Sequence, residues 1–341
     1  ARDLRALGWA IVTMAVVILL VDQLFWKPLV AWSDRFRLEL SSGGDAPESW
    51  VYDLLCSARI PKLVGASLGP LHDGLDRLLS GLLGPVNEGT ERPVSPLQER
   101  WFNVALLLPL AALLSAVGHF ILVTVGPAEV LQALVLGLHT LARVTILLVV
   151  ASLIWTPIGV TIGFQPRLAR LLQPLVQFLA SFPANFVFPL ATLFFLHAHV
   201  PIGWGAIVLM ALGAQWYILF NAIAGAQMIP ADLREMADDV GLSGWQRWRR
   251  LIMPGIFSAW VTGGVTASGG AWNASILAEV VHWGDTTLQA DGLGAYIANA
   301  TQAGDWPRIA LGIGLMSLFV VGINQLVWRR LYELAERRFH L

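Results

Sequence analysis

The side chains that could do chemistry in this chain are a few polar residues that interrupt long apolar stretches. Polar groups are costly inside a membrane, so each needs a functional or a structural reason. Arg143 is a candidate contact for an anion in a polar pathway between helices, or an arginine that snorkels or satisfies neighbouring carbonyls. The other pathway candidates are Asn185, Gln215, Ser268, Trp272 and Asn273. Each of these also suits a structural role between helices.

The remaining reactive side chains indicate neither a metal site nor a catalytic centre. His197 and His199 lie two residues apart without a nearby carboxylate or cysteine, and the other histidines are scattered. We therefore predict no metal in this chain. The sequence has no evident nucleophile–base pair, phosphate-binding glycine loop or paired acid–base carboxylates. It predicts a protein that is not catalytic alone.

Composition places these residues in an integral membrane protein. The chain has 341 residues, of which 56% are hydrophobic and 13% charged, and its mean hydropathy is +0.65. An ordinary soluble domain is about 25% charged. The single cysteine, Cys56, excludes a disulfide within the chain. We predict an all-α fold, because helices satisfy their own backbone hydrogen bonds in lipid.

Seven apolar runs are long enough to cross a bilayer at about 20 residues each. They are approximately 6–28, 101–125, 131–163, 172–197, 203–223, 256–278 and 308–328. Lys and Arg are absent from 126–130, 198–202 and 279–307 but present in the alternate connections. Positive residues favour the cytoplasmic side. The pattern predicts a multi-pass protein of the cytoplasmic membrane whose C-terminus is cytoplasmic.

Residues 229–255 form a charged island between two apolar runs, predicted to be cytoplasmic. Met236, Ala237 and Val240 belong to an apolar stripe at helical spacing. Gly241 ends this first helix, since glycine adopts the left-handed C-terminal conformation without strain. Ser243 begins a second short amphipathic helix. The pattern predicts an elbow of two helices that docks onto a partner.

This island resembles the EAA loop of bacterial ABC importer permeases. The resemblance lies in the order Glu235-Met236-Ala237, then Gly241, then Ile-Met-Pro ending at Pro254. The family has a second alanine where Met236 stands. The resemblance implies that the island couples the chain to an ATPase subunit. The residues implied in this coupling are Glu235, Met236, Ala237, Asp238, Gly241, Trp245 and Pro254.

The region 100–341 is also similar to importer permeases of the nitrate, sulfonate, taurine and bicarbonate type. The supporting motifs include Leu141-Ala142-Arg143-Val144 and Ser181-Phe182-Pro183. The resemblance implies a six-helix type I permease that imports a small solute, such as one of these anions, across the bacterial inner membrane. It implies two cytoplasmic ATPase subunits that bind ATP and Mg, a second permease half and an extracytoplasmic solute-binding protein. It implies no cofactor in this chain and no nucleic acid partner.

A sequence repeat indicates an additional helix before the six-helix core. Shifted by 302 residues, the segment 3–35 matches 305–337, with Gln23 at Gln325 and Trp26 at Trp328. We therefore predict that 1–30 is the last helix of a preceding repeat, 31–100 a cytoplasmic linker with short helices, and 101–341 the permease domain. On this prediction the chain is the C-terminal half of a tandem permease. The alternative is a coincidental similarity of two helices that both end in the cytoplasm.

Other classes of membrane protein remain as alternatives. An ion-driven secondary transporter or channel would be expected to carry a carboxylate or charge pair within the membrane. Asp22, Glu129 and Glu279 all lie at the ends of apolar runs. Glu279 either holds the outer loop or meets a binding protein. A membrane enzyme would need polar residues converging at one depth, and an exporter would not need the importer-type island.

Overall fold

The computed structural model describes residues 4–33, 96–283 and 286–338. These residues fall into two compact units. One unit contains the described residues of Thr13–Ser115, and the other those of Ala1–Val12 and Ala116–Leu341. Most of the predicted linker 31–100 lies outside the described residues.

The described chain is almost entirely helical. Its helices are α1 (Leu4–Val21), α2 (Lys27–Ser33), α3 (Pro96–Thr124), α4 (Pro127–Gly163), α5 (Pro166–Ser181), α6 (Phe188–His197), α7 (Ile202–Met228), α8 (Ala231–Asp239), α9 (Gly244–Arg247), α10 (Met253–Ala278), α11 (Leu293–Ala303), α12 (Trp306–Ile323) and α13 (Arg329–Arg338). The π-helical turns Asp22–Trp26, Trp248–Ile252 and Asn324–Trp328 continue the helices before them. A short antiparallel hairpin, β1 (Val280–Trp283) and β2 (Thr286–Gln289), follows α10.

Five of the described helical segments are long and apolar enough to cross a membrane, which confirms the predicted all-α membrane fold. They are Gly8–Val30, Pro127–Gly163, Ile202–Met228, Gly244–Ala278 and Trp306–Arg338. The predicted run 172–197 is divided into α5 and α6 by the 3-10 turn Ala184–Phe186. Pro183 precedes this turn in an extended conformation. Phe182, the residue before Pro183, is also extended, as a residue that precedes proline favours.

The core of the larger unit is formed by α4, α7 and α10. Their buried apolar side chains include Val144, Leu147, Leu209, Met210, Ile218, Ala267, Ala271 and Trp272. The helices approach closely where small residues face a neighbouring backbone. A Cβ added at Gly263 would lie 2.9 Å from the Tyr217 carbonyl oxygen, and one at Gly159 would lie 2.6 Å from the Ala222 Cβ. Such small-residue seams are typical of helix packing in membranes.

Candidate functional site

The charged island forms an elbow, residues 229–255, in which α8 and α9 meet at Gly241. The φ angle of Gly241 is 73°, in the left-handed region predicted from the sequence. The Leu242 N–H donates to the Ala237 carbonyl at 2.8 Å, and the Gly241 N–H donates to the Asp238 carbonyl at 3.0 Å. These two bonds form a Schellman motif, which satisfies the last carbonyls of α8. The turn is therefore fixed by its backbone.

The second part of the elbow is continuous with a membrane helix. Ser243 takes the N-cap position of α9, without a hydrogen bond from its side chain to the helix. The segment then runs through the π-helical turn Trp248–Ile252 into α10 and ends at Ala278. Pro254 lies inside this segment, directly after the wider turn. In an α-helix a proline leaves the carbonyl four residues earlier without its hydrogen bond and its ring clashes with that carbonyl. For Pro254 this is the carbonyl of Arg250, which lies in the π-helical turn. α9, the π-helical turn and α10 therefore form one continuous helical segment, Gly244–Ala278.

The exposed face of the elbow combines apolar and charged side chains. Met236, Val240 and Trp245 are 60%, 75% and 76% exposed, whereas Ala237 is buried. The predicted apolar stripe of α8 is thus divided, with Ala237 facing the membrane helices and Met236 and Val240 facing away. The Arg247 guanidinium pairs with the Asp238 carboxylate across the Gly241 turn. Exposed apolar side chains within a charged surface are typical of a protein interface.

The buried face of the elbow packs on the ends of three membrane helices. Its apolar cluster joins Val160 of α4, Ala226 of α7 and Ile256 of α10 to Ile229 and Ile252 of the elbow. The Arg234 guanidinium also lies 5.4 Å from the centre of the Phe164 ring, directly after α4. A cation over an aromatic face is attracted by the ring quadrupole. The elbow is therefore packed against the ends of the helices that form the core.

The stretch that contains the elbow matches a known family. The model of the "Binding-protein-dependent transport system inner membrane component" family matches residues 155–340. The chain belongs to this family. The match covers more than half of the chain and includes α7, the elbow, α10 and α12.

Individual permease proteins are similar to the chain at moderate identity. The chain is 26% identical over 188 residues to a nitrate import permease protein of Leptolyngbya laminosa, covering 55% of this chain and 64% of the relative. It is 30% identical over 176 residues to a bicarbonate transport system permease protein of Synechocystis sp., covering 52% and 60%. It is 28% identical over 229 residues to an osmoprotectant import permease protein of Salmonella typhimurium, covering 66% and 90%. The chain thus spans less than two thirds of the length of the first two relatives.

A buried polar network joins the helices at the end opposite the elbow. The Glu279 carboxylate accepts from the Thr140 hydroxyl at 2.8 Å, from Arg143 Nη1 at 2.8 Å and from the Ala295 N–H at 3.2 Å. The Thr140 hydroxyl oxygen accepts from the Leu293 N–H at 2.9 Å. Burial raises the pKa of the Glu279 carboxyl, and the Thr140 hydroxyl and the Arg143 charge oppose that rise. The network ties α4 and the end of α10 to α11, and Arg143 also bonds the Asp291 carbonyl between the hairpin and α11. This is the loop-holding role considered for Glu279.

The network also places Arg143, the first of the predicted pathway residues. Nη1 of Arg143 bonds both Glu279 and the Asp291 carbonyl, the latter at 2.9 Å. Its side chain lines an open cavity of about 400 Å³ together with His139, Trp204 and Asp291. Much of its charge is therefore balanced within the network. An anion contact through Arg143 remains a prediction.

The other pathway candidates lie in different surroundings. Gln215 accepts from the Trp155 indole N–H at 2.9 Å. Trp272 is buried and stacks on Phe319 with ring centres 5.8 Å apart. Ser268 is buried, whereas Asn185 and Asn273 are exposed. Arg143, Gln215 and Trp272 thus contact three different partners, and only Asn185 and Asn273 are freely accessible among the six.

A second polar cluster at this end was not predicted from the sequence. Arg308 forms hydrogen bonds with Glu129 at 2.5 Å and with Asp305 at 2.9 Å, and the Tyr296 hydroxyl donates to Glu129 at 3.0 Å. The sequence shows that Glu129, Asp305 and Arg308 flank apolar runs. It does not show that Arg308 pairs with Glu129, which is 179 positions away. Among the described residues, no group of three His, Cys, Asp or Glu side chains is placed to hold a metal ion.

Proposed function

We propose that this chain is the membrane-spanning subunit of an ATP-driven, binding-protein-dependent importer of a small solute. The observation that carries the proposal is the exposed elbow, whose buried face packs on α4, α7 and α10 in a chain of this family. An interface on which ATP-driven motion acts needs both properties. It must be accessible to a partner, and it must be attached to the helices that move.

The mechanism follows from the continuity of the elbow with the core. Two cytoplasmic ATPase subunits bind ATP and Mg and hydrolyse ATP, and a groove of one of them receives Met236, Val240 and Trp245. Closure of the ATPase pair moves α8 and α9. The movement passes through α9 into α10 and through the Arg234–Phe164 contact to the end of α4. The membrane helices then change between inward-open and outward-open states.

The proposed orientation places the elbow in the cytoplasm. The elbow carries Arg247, Arg249 and Arg250, and α13 ends with Arg337 and Arg338. The connection 198–202 at the opposite end has no Lys or Arg. This asymmetry supports a cytoplasmic C-terminus. The hairpin and α11 then face outward, where an extracytoplasmic solute-binding protein delivers its solute, and a second permease unit completes the translocation pathway.

The proposed solute is a small anion such as nitrate, a sulfonate or bicarbonate. Relatives named for nitrate, bicarbonate and aliphatic sulfonates support this class. The relative named for an osmoprotectant import permease supports a wider panel of solutes. Uptake into proteoliposomes that contain the complete complex and its binding protein would be measured with radiolabelled nitrate, taurine, bicarbonate and glycine betaine. Uptake of glycine betaine alone would refute the anion proposal and leave the importer proposal intact.

The importer proposal is tested by purification of the protein from its native membrane in mild detergent. We expect an ABC ATPase subunit to co-purify and its ATP hydrolysis to rise when the solute-loaded binding protein is added. Purification of the protein without any ATPase, from membranes in which that ATPase is detected, would contradict the proposal. An ion-driven carrier would then become the leading hypothesis, and a dependence of uptake on a proton or sodium gradient would identify it.

A further inference from the structure

Two helices of this chain have the same segmentation at the same register. α1 continues through the π-helical turn Asp22–Trp26 into α2, and α12 continues through the π-helical turn Asn324–Trp328 into α13. The shift of 302 residues that aligns Trp26 with Trp328 also aligns both ends of these turns. π-Helical turns make up well under 1% of residues in proteins, and each inserts a residue into a helix. The repeat is therefore present in the backbone as well as in the sequence.

In the C-terminal copy the residue at the end of the turn, Trp328, is buried against a neighbouring helix. Trp328 is only 7% exposed. A Cβ added at Gly264 of α10 would lie 2.5 Å from Trp328 Cη2 and 2.7 Å from Cζ3, so the indole occupies the space that any larger residue would need. One turn further on, the hydroxyls of Tyr332 and Thr262 lie 2.7 Å apart. The turn thus places a tryptophan on a glycine of the neighbouring helix.

In the N-terminal copy the equivalent tryptophan is open. Trp26 is 51% exposed, and the segment Gly8–Val30 has no buried residue in its most apolar window. The helix carries apolar residues at the positions that pack in the C-terminal copy. Its residues Met14, Val17, Val21 and Leu29 align with Met316, Phe319, Ile323 and Leu331. Of these four C-terminal residues, Met316, Phe319 and Ile323 pack against the core, and Leu331 lines a cavity beside Trp328.

We propose that the helix of residues 4–33 is a docking surface for a second permease unit, in which this helix takes the position that α12 and α13 take in the unit described above. In that unit, a helix equivalent to α10 presents a glycine or alanine to Trp26, as Gly264 does to Trp328. The inference rests on the proposed function, in which two permease units form one pathway. The helix lies outside the stretch 155–340 that matches the family. The helix of residues 4–33 is thus additional to the permease unit of this chain, which already has α12 and α13 as its last helix.

The contact between Trp328 and Gly264 argues against a second copy of this same chain as the docking partner. In each copy Trp328 already fills the space at Gly264, so Trp26 of another copy would have to displace it. A helix surrounded only by lipid would not need the shared π-helical turn. The turn changes the direction in which the following side chains point, and this matters only where one of them meets a specific neighbour. A helix with a small residue at the matching position satisfies both observations.

The docking is tested by photo-crosslinking in the native membrane, with p-benzoylphenylalanine replacing Trp26 in one variant and Leu24 in another. Leu24 is the matched control, since Leu24 and its equivalent Leu326 are 53% and 63% exposed. Replacement of Trp328 and of Leu326 calibrates the method within this chain. The variant at 328 should cross-link to the peptide that contains Gly264, and the variant at 326 should not. Cross-linked peptides are identified by mass spectrometry.

We expect the probe at 26, but not at 24, to give a cross-link to a transmembrane segment of a permease unit with glycine or alanine at the attached site. Equal loss of both probes to lipid would overturn the inference. So would a cross-link from 26 to α10 of another copy, which would indicate helix exchange, or a cross-link to an unrelated protein. ATPase co-purification is scored separately on the same membranes. Its absence, with the expected cross-link present, would refute the importer while leaving the docking surface established.

Discussion

The carboxylate of Glu279 and the guanidinium of Arg143 lie 2.8 Å apart and join the end of α10 to α4. The relative exposure of the Glu279 side chain is 0% and that of Arg143 is 14%. The pair is also bonded to Thr140, to the backbone of Asp291 and to the backbone of Ala295. A charge held in such a network needs every one of its partners, because an unpaired buried charge is strongly unfavourable.

Replacement of Glu279 should therefore destabilise the protein severely. We expect Glu279→Ala to cost about 3–5 kcal/mol of stability, because it leaves Arg143 without its buried partner. The measurement is the thermal unfolding midpoint of the purified protein. Glu333→Ala is the control, since the Arg329–Glu333 pair is exposed at both ends and such pairs contribute about 0–1 kcal/mol. Equal midpoints for the two variants would refute the assigned role of Glu279.

Gly241 should be required for coupling. Gly241→Val places a β-branched residue at a φ of 73°, which costs about 1–3 kcal/mol of backbone strain and favours a different turn. We expect uptake per ATP hydrolysed to fall in reconstituted complexes. Gly322→Val is the control, because a Cβ there meets no described atom within 4 Å and the helix has ordinary angles. Normal solute-stimulated ATPase activity and normal uptake in Gly241→Val would exclude a coupling role for the turn.

Trp245 should contribute strongly to ATPase binding. It is 76% exposed on the elbow, and Trp306 is 77% exposed at the opposite end of the helices. Buried aromatic anchors of interfaces typically contribute 2 kcal/mol or more, so Trp245→Ala should raise the Kd for the ATPase subunit roughly 30-fold. Trp306→Ala should leave this Kd unchanged. Binding is measured by titration onto the protein in lipid nanodiscs, and equal effects of the two variants would place the ATPase surface elsewhere.

The adjacent residues Trp272 and Asn273 should give opposite results. Trp272→Ala removes a buried ring that stacks on Phe319, so we expect a loss of about 3–5 kcal/mol and a lower unfolding midpoint. Asn273 is exposed, so Asn273→Ala should keep the midpoint. If Asn273 lines the pathway, uptake falls in this variant although the protein stays folded. Unchanged uptake kinetics would remove Asn273 from the pathway hypothesis.

Local chemistry made several features predictable. Gly241 ends its helix because only glycine takes a left-handed conformation without strain, and that requirement needs no knowledge of the neighbouring helices. The alternation of charged and apolar residues around Met236 and Ala237 indicated the elbow. The register of Trp26 and Trp328 was likewise present in the sequence.

The partners of the membrane helices were decided by tertiary structure. In lipid, the side of a helix that faces the bilayer is as apolar as the side that faces its neighbours, so hydrophobic periodicity does not reveal which face is buried. Trp272 and Asn273 therefore looked equally eligible for a pathway, although only Asn273 is exposed. The pairing of Arg143 with Glu279 depends on how α4 and α10 pack across 136 positions.

By itself, the sequence determined that this is a helical membrane protein with a charged elbow and two segments, 3–35 and 305–337, that match in register, because these features depend on hydropathy, turn chemistry and residue order within short segments. Only the tertiary structure decided that the elbow is continuous with α10, that Arg143 is paired with Glu279, and that Trp328 packs against Gly264. The physical reason is the same in each case. Contacts between distant helices depend on shape and on close approach of small residues, neither of which is visible in the local order of side chains.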